Sequence, residues 1–95
     1  MLQDEGEFAD ASKLKRRALK ICEDSYGADD PRVARALLSL AELYEARGRP
    51  SEAEAFVQEA HRIHAKAAGP GSPAAVECML QIVRLRKTPA VRGAR

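Results

Sequence analysis

Tryptophan is missing from this 95-residue chain, and Phe8, Tyr26, Tyr44 and Phe56 are its whole aromatic set. The core must therefore rest on many modest contacts rather than on large rings. Cysteine occurs only as Cys22 and Cys78. They are far apart and show no Cys-x-x-Cys or Cys/His spacing, so no zinc framework is indicated. Two small thiols in a reducing compartment are the expectation. No apolar run approaches the roughly 20 residues needed to cross a bilayer, so no membrane segment is expected. The acidic start MLQDEGEF has no apolar signal-peptide region. A cytoplasmic location follows as the expectation. Neither sign of charge dominates: 32% of residues are charged and the net charge is +2. That balance suits a soluble protein and makes no demand for nucleic acid.

What is abundant is alanine, in stretches broken by Gly and Pro. Residues 40–56, LAELYEARGRPSEAEAF, pose the central question. Two helix-forming segments flank a short interruption, Arg47-Gly48-Arg49-Pro50. A self-comparison answers it. Shifting the chain by 42 residues sets Gly6 on Gly48, Ala11 on Ala53, Ala18 on Ala60 and Ile21 on Ile63. It also sets Gly27 on Gly69, Pro31 on Pro73, Leu38 on Leu80 and Leu43 on Leu85. The matched residues are those that make turns and packing, while charges differ freely.

The punctuation predicts four helices, at about 8–25, 31–47, 50–67 and 73–87. In the first, Ala11, Leu14, Ala18, Ile21, Cys22 and Ser25 recur at three- and four-residue steps. Gly27 ends it, and Asp30 and Pro31 supply the cap and first turn of the next. In the second, Val33, Ala36, Leu37, Leu40, Ala41, Leu43 and Tyr44 are read as inward. In the third, the inward set is Ala53, Phe56, Val57, Ala60, Ile63 and His64. Ser72 caps the fourth, and Thr88-Pro89 stops it. Residues 1–7 and the basic tail 88–95 are expected to be flexible. The short break is then the tight turn of an antiparallel helix pair. A pair has too narrow an apolar face to stand alone, so pairs must stack.

Leu40-Ala41, Tyr44, Gly48, Ala53, Val57 and Ala60 resemble the consensus of the tetratricopeptide repeat. The 42-residue period, with Gly-x-x-x-Pro links at Gly27–Pro31 and Gly69–Pro73, is similar to the longer kinesin-light-chain type. The resemblance covers residues 6–86, with the full motif at 31–67. It implies an all-α fold, a short α-solenoid of about four helices. The first helix resembles the second half of a repeat, and the fourth resembles a first half. Lys15 and Arg86 stand where the family usually has an aromatic and a Tyr. The half-repeats would leave apolar faces of both end helices open.

The resemblance implies protein binding by the first helix of each pair, on a concave face. Carried over position by position, that face comprises Arg35, Leu38, Ser39, Glu42 and Glu45, with Glu77, Leu80, Gln81, Arg84 and Lys87. Leu38, Ser39, Leu80 and Gln81 occupy positions where the kinesin-light-chain type tends to have Asn, whose amide can hold a peptide backbone at both ends. Self-association through the end helices, as a homo-oligomer, is the alternative. The acidic start and basic end of the chain suit head-to-tail attraction. The run Lys13–Lys20 puts Lys13, Arg16, Arg17 and Lys20 on one stripe, but no interleaved aromatics accompany it, and nucleic acid is not expected. His61 and His64 lack further ligands at metal spacing. No phosphate-binding loop or nucleophile–base pair stands out, so neither a cofactor nor an enzymatic activity is expected.

Overall fold

The computed structural model describes residues 5–87. They form four α-helices: α1 (Glu5–Tyr26), α2 (Pro31–Ala46), α3 (Pro50–Ala68) and α4 (Pro73–Lys87). No strand occurs among the described residues. α1 begins three residues before the expected Phe8, so Glu5, Gly6 and Glu7, read from sequence as flexible, are helical. The remaining ends differ from expectation by one residue or not at all. Residues 1–4 of the expected flexible start, and the expected tail 88–95, lie outside the described residues.

The turn at Arg47–Pro50 has a specific hydrogen-bond pattern. Arg49 N–H donates to Tyr44 C=O at 2.9 Å, and Gly48 N–H donates to Glu45 C=O at 3.0 Å. These nested bonds satisfy carbonyls that a helix end leaves open, and they require a left-handed residue between them. Gly48 supplies it, at φ +81°. Pro50 then opens α3 at its first position, where its missing N–H costs nothing.

The longer breaks are copies of one another. Gly27 and Gly69 have φ of +95° and +99°. Their N–H groups donate to Glu23 and Ala65 C=O, and their carbonyls accept from Asp30 and Ser72 N–H. Every one of these partners is related by the 42-residue shift. The following helices begin on a side-chain cap: Asp30 Oδ1 accepts from Arg32 N–H at 2.9 Å, and Ser72 Oγ accepts from Ala75 N–H at 3.3 Å.

Each helix packs antiparallel on its neighbour in sequence. Ser12 near the start of α1 meets Tyr44 near the end of α2. Asp29, just before α2, meets Arg62 and Lys66 at the end of α3. Arg86 at the end of α4 meets Glu54 at the start of α3. The result is a slab of 39 × 28 × 14 Å with a radius of gyration of 14.0 Å. A sphere-like domain of this length has about 12 Å, so the stack is extended, as repeat packing requires.

Leu40, Ile63, Leu85, Val33, Val57 and Cys78 are the largest fully buried side chains. Between them sit Ala34, Ala41, Ala53, Ala60 and Ala75, all inaccessible to water. Burying a Val, Leu or Ile side chain contributes about 1.5–3 kcal/mol, and the alanines let the helices come close enough to do it. Ala34 was not among the expected inward residues, although it continues the series Ala34, Leu37, Ala41, Tyr44 at steps of three and four. Ala36 and Leu43 are half-buried. The largest departure lies in α1. Phe8, Leu19 and Cys22 turn to the core, whereas Leu14, Ala18, Ile21 and Ser25 are exposed. α1 therefore has two usable faces, and only one is covered by α2.

Candidate functional site

α2 and α4 stand side by side on one surface of the slab, separated by α3. Between them runs a groove of about 560 Å³. Leu38 and Glu42 form one wall, and Ala74, Glu77, Leu80, Gln81 and Arg84 the other. His64 of α3 and the buried Cys78 also line it. α2 and α4 present equivalent turns here because they occupy equivalent places in the repeat, and the 42-residue shift sets Leu38 opposite Leu80.

Six of the ten residues expected at a binding surface thus line one groove: Leu38, Glu42, Glu77, Leu80, Gln81 and Arg84. Glu45 joins their edge through Arg84, whose guanidinium holds the Glu45 carboxylate by two nitrogens. That hydrogen bond and charge raise the Arg84 pKa above its ordinary value. Ser39 is directed elsewhere. Its Oγ accepts from Lys15 Nζ at 2.6 Å, so it belongs to the α1–α2 seam. Arg35 and Lys87 are exposed and are not part of the groove wall.

Sequence reasoning missed the contribution of His64, Ala74 and Cys78. His64 was read as a packing residue, and it is half-buried at the groove rather than sealed. Cys78 is buried, and desolvation, with a smaller push from Glu77, raises its thiol pKa. No group of three His, Cys, Asp or Glu side chains able to hold a metal occurs among the described residues.

The groove is chemically mixed. Leu38 and Leu80 provide apolar contact, with Leu80 well exposed. Glu42, Glu77, Gln81 and Arg84 surround them with acceptors and donors. This pattern suits a ligand with apolar side chains on a polar backbone, rather than a small apolar molecule, which needs an enclosed site.

A second cleft lies at the other edge, bounded by Phe8, Ser12, Lys13, Arg16, Tyr44 and Arg49. Phe8 and Tyr44 continue from it into an aromatic row with Phe56. The Tyr44 ring lies 5.1 Å from Phe8, edge to face, and 5.2 Å from Phe56. Arg16 lies over Tyr44 and Phe56, and Arg47 and Arg49 lie over Phe8. The buried Tyr44 hydroxyl pairs with Ser12 Oγ at 3.1 Å and accepts from Arg16. These bonds, Ser12 first, lower its pKa against the opposing effect of burial. Arg16 is thus tied into the α1–α2 seam through Tyr44, which accounts for part of the basic run without a nucleic-acid ligand.

Four antiparallel helices stacked in sequence order, with a groove between first helices of successive pairs, define a short helical-repeat solenoid. A family model described as tetratricopeptide repeat matches residues 1–66, and the chain belongs to that family. The match ends within α3, and α4 extends the same stacking beyond it. Repeats of this family are generally protein–protein interaction modules and typically non-enzymatic scaffolds. No curated protein matches the chain. No helix among the described residues is long and apolar enough to cross a membrane.

Proposed function

We propose that the chain is a non-enzymatic interaction module that takes a peptide or helix of a partner protein in the groove between α2 and α4. The observation that supports this reading is the convergence of Leu38, Glu42, Glu77, Leu80, Gln81 and Arg84 on one groove. The ligand it suits has apolar anchors at helical or extended spacing to meet Leu38 and Leu80. Its polar groups meet Glu42, Gln81 and Arg84. A cytoplasmic setting fits this role.

The test is selection of peptides from a displayed random library against the whole chain, followed by titration of the selected peptides. Leu38→Glu and Arg84→Glu should each weaken binding about tenfold or more, equivalent to roughly 1.4 kcal/mol. Peptides that bind both variants as tightly as the unaltered chain remove the groove reading, as does a library that yields no binder.

A second reading is self-association. It is favoured by Leu14 and Ile21 on α1, and by Val76, Met79 and Val83 on α4, apolar side chains exposed at the two ends of the stack. A chain that sediments as a strict monomer across the micromolar range rejects it.

A further inference from the structure

Each end helix presents to solvent the stripe that its internal counterpart buries. The 42-residue shift sets α4 on α2 and α1 on α3. Ala34, Leu37 and Ala41 of α2 are buried. Their counterparts on α4, Val76, Met79 and Val83, are 41, 51 and 50% exposed. Ala60 and Ile63 of α3 are buried, and Phe56 is packed against the core. Their counterparts on α1 are Ala18, Ile21 and Leu14, and the last two are 57 and 64% exposed. Within the chain, the α2 stripe and the α3 stripe belong to two helices that pack on each other. The internal repeat therefore specifies an occupant for each open face. Among the described residues, no α1-like helix covers the open face of α4, and no α4-like helix covers that of α1.

We propose that copies of this chain associate head to tail, α4 of one copy packing antiparallel on α1 of the next to remake the α2–α3 pair across the junction. The proposal rests on the self-association reading and adds the pairing and its register. Charge complementarity supports the direction. In that register the end of α4, where Lys87 follows Arg84 and Arg86, which pair with Glu45 and Glu54 of their own chain, lies beside the start of α1, with Glu7 and Asp10. A parallel arrangement would set those cations beside the far end of α1. Glu23 and Asp24 stand there with Lys20, which already pairs with Asp24, so the antiparallel register meets the more acidic end. Two copies of α4 meeting antiparallel would offer the cations only Glu77 near the start of the opposite helix. Lys15, which stands where α3 has the buried Val57, is no obstacle, because it is engaged with Ser39 of its own chain. Arg86 stands where α2 has Tyr44 and holds Glu54 of its own α3, so the stripe ends in a polar group.

The two surfaces in this contact differ, so the association does not close on itself at two copies and runs on into a ring or a filament. Its test is sedimentation equilibrium of the full chain across the micromolar range, with Ile21→Glu, Met79→Glu and an equimolar mixture of the two. Both positions are exposed, and far-ultraviolet circular dichroism checks that the variants keep their helices. The unaltered chain should rise in mass beyond a dimer, and each variant alone should remain monomeric. The mixture should stop at a dimer, because it retains one intact α4 face and one intact α1 face. A monomeric unaltered chain overturns both this pairing and self-association itself, and leaves the open faces to a different protein or to further repeats. Self-association that survives in one single variant overturns only the head-to-tail pairing and points to like faces meeting.

Discussion

Arg84 of α4 grips Glu45 of α2 with both terminal guanidinium nitrogens, across the edge of the groove. The pair links two helices that are not neighbours in sequence. It also sets one rim of the proposed ligand site. An exposed pair of this kind is worth about 0–1 kcal/mol. Arg84→Glu should therefore lower stability by no more than about 1 kcal/mol in urea denaturation. Adding Glu45→Arg should recover that loss. Peptide binding should not recover in the double variant if Arg84 itself meets the ligand, so stability and affinity should separate.

Tyr44 joins the α1–α2 seam to the aromatic row. Truncating a large buried ring costs about 3–5 kcal/mol, and Tyr44→Ala should approach unfolding of so small a stack. Tyr44→Phe keeps the ring and removes the hydroxyl from Ser12 and Arg16. Its expected cost is about 1 kcal/mol. Equal effects of the two substitutions in denaturant titrations would deny the ring its role.

Gly48→Ala isolates backbone cost. A Cβ at Gly48 meets no atom within 4 Å, so packing is not disturbed. The left-handed conformation at φ +81° remains, and for a residue with Cβ it costs about 1–2 kcal/mol. The shift in urea midpoint should match that figure. A neutral substitution would mean that the turn relaxes freely.

The two thiols should differ in reactivity. Cys22 is half-buried and Cys78 is buried with a raised pKa. Alkylation of the native protein should label Cys22 first and reach Cys78 only as the chain unfolds. Equal labelling rates under native conditions would show the α3–α4 seam to be open.

Asp29 accepts from Lys66 Nζ at 2.7 Å and from Arg62 at 3.1 Å, and these bonds, Lys66 first, hold its pKa below the ordinary 3.8. A carboxylate with a depressed folded pKa stabilises above its unfolded value and loses that contribution as pH falls through the folded one. Thermal stability should therefore drop below pH 3.8 more steeply in the unaltered chain than in Asp29→Asn. The difference should shrink with added salt, since the groups are exposed. Parallel pH profiles would dismiss the linkage.

The helices were legible because Gly and Pro repeat at 42 residues and because each turn needs the backbone those residues supply. The core faces of α2 and α3 were legible because both sides are covered by neighbours, so apolar spacing and burial coincide. In α1 they diverge. Leu14 and Ile21 obey helical spacing, yet spacing cannot say which of two faces meets a neighbour. Polar packing was hidden as well: nothing in Ser12 or Lys15 taken alone signals that they join Tyr44 and Ser39. In the groove, the Leu and charged positions of α2 and α4 were accessible through the family pattern. The bond of Ser39 to Lys15 was hidden because its partner lies on a different helix.

The slab is only 14 Å thick, and its helices stack in sequence order. α1 is held chiefly by α2, and α4 by α3. Shedding either end thus forfeits one seam, while the central hairpin keeps the helix packed on its other side. Amide protons should exchange with solvent earliest in α1 and α4 and latest along α2 and α3. The molecule then loosens like a short zipper from its two tips, rather than melting all at once.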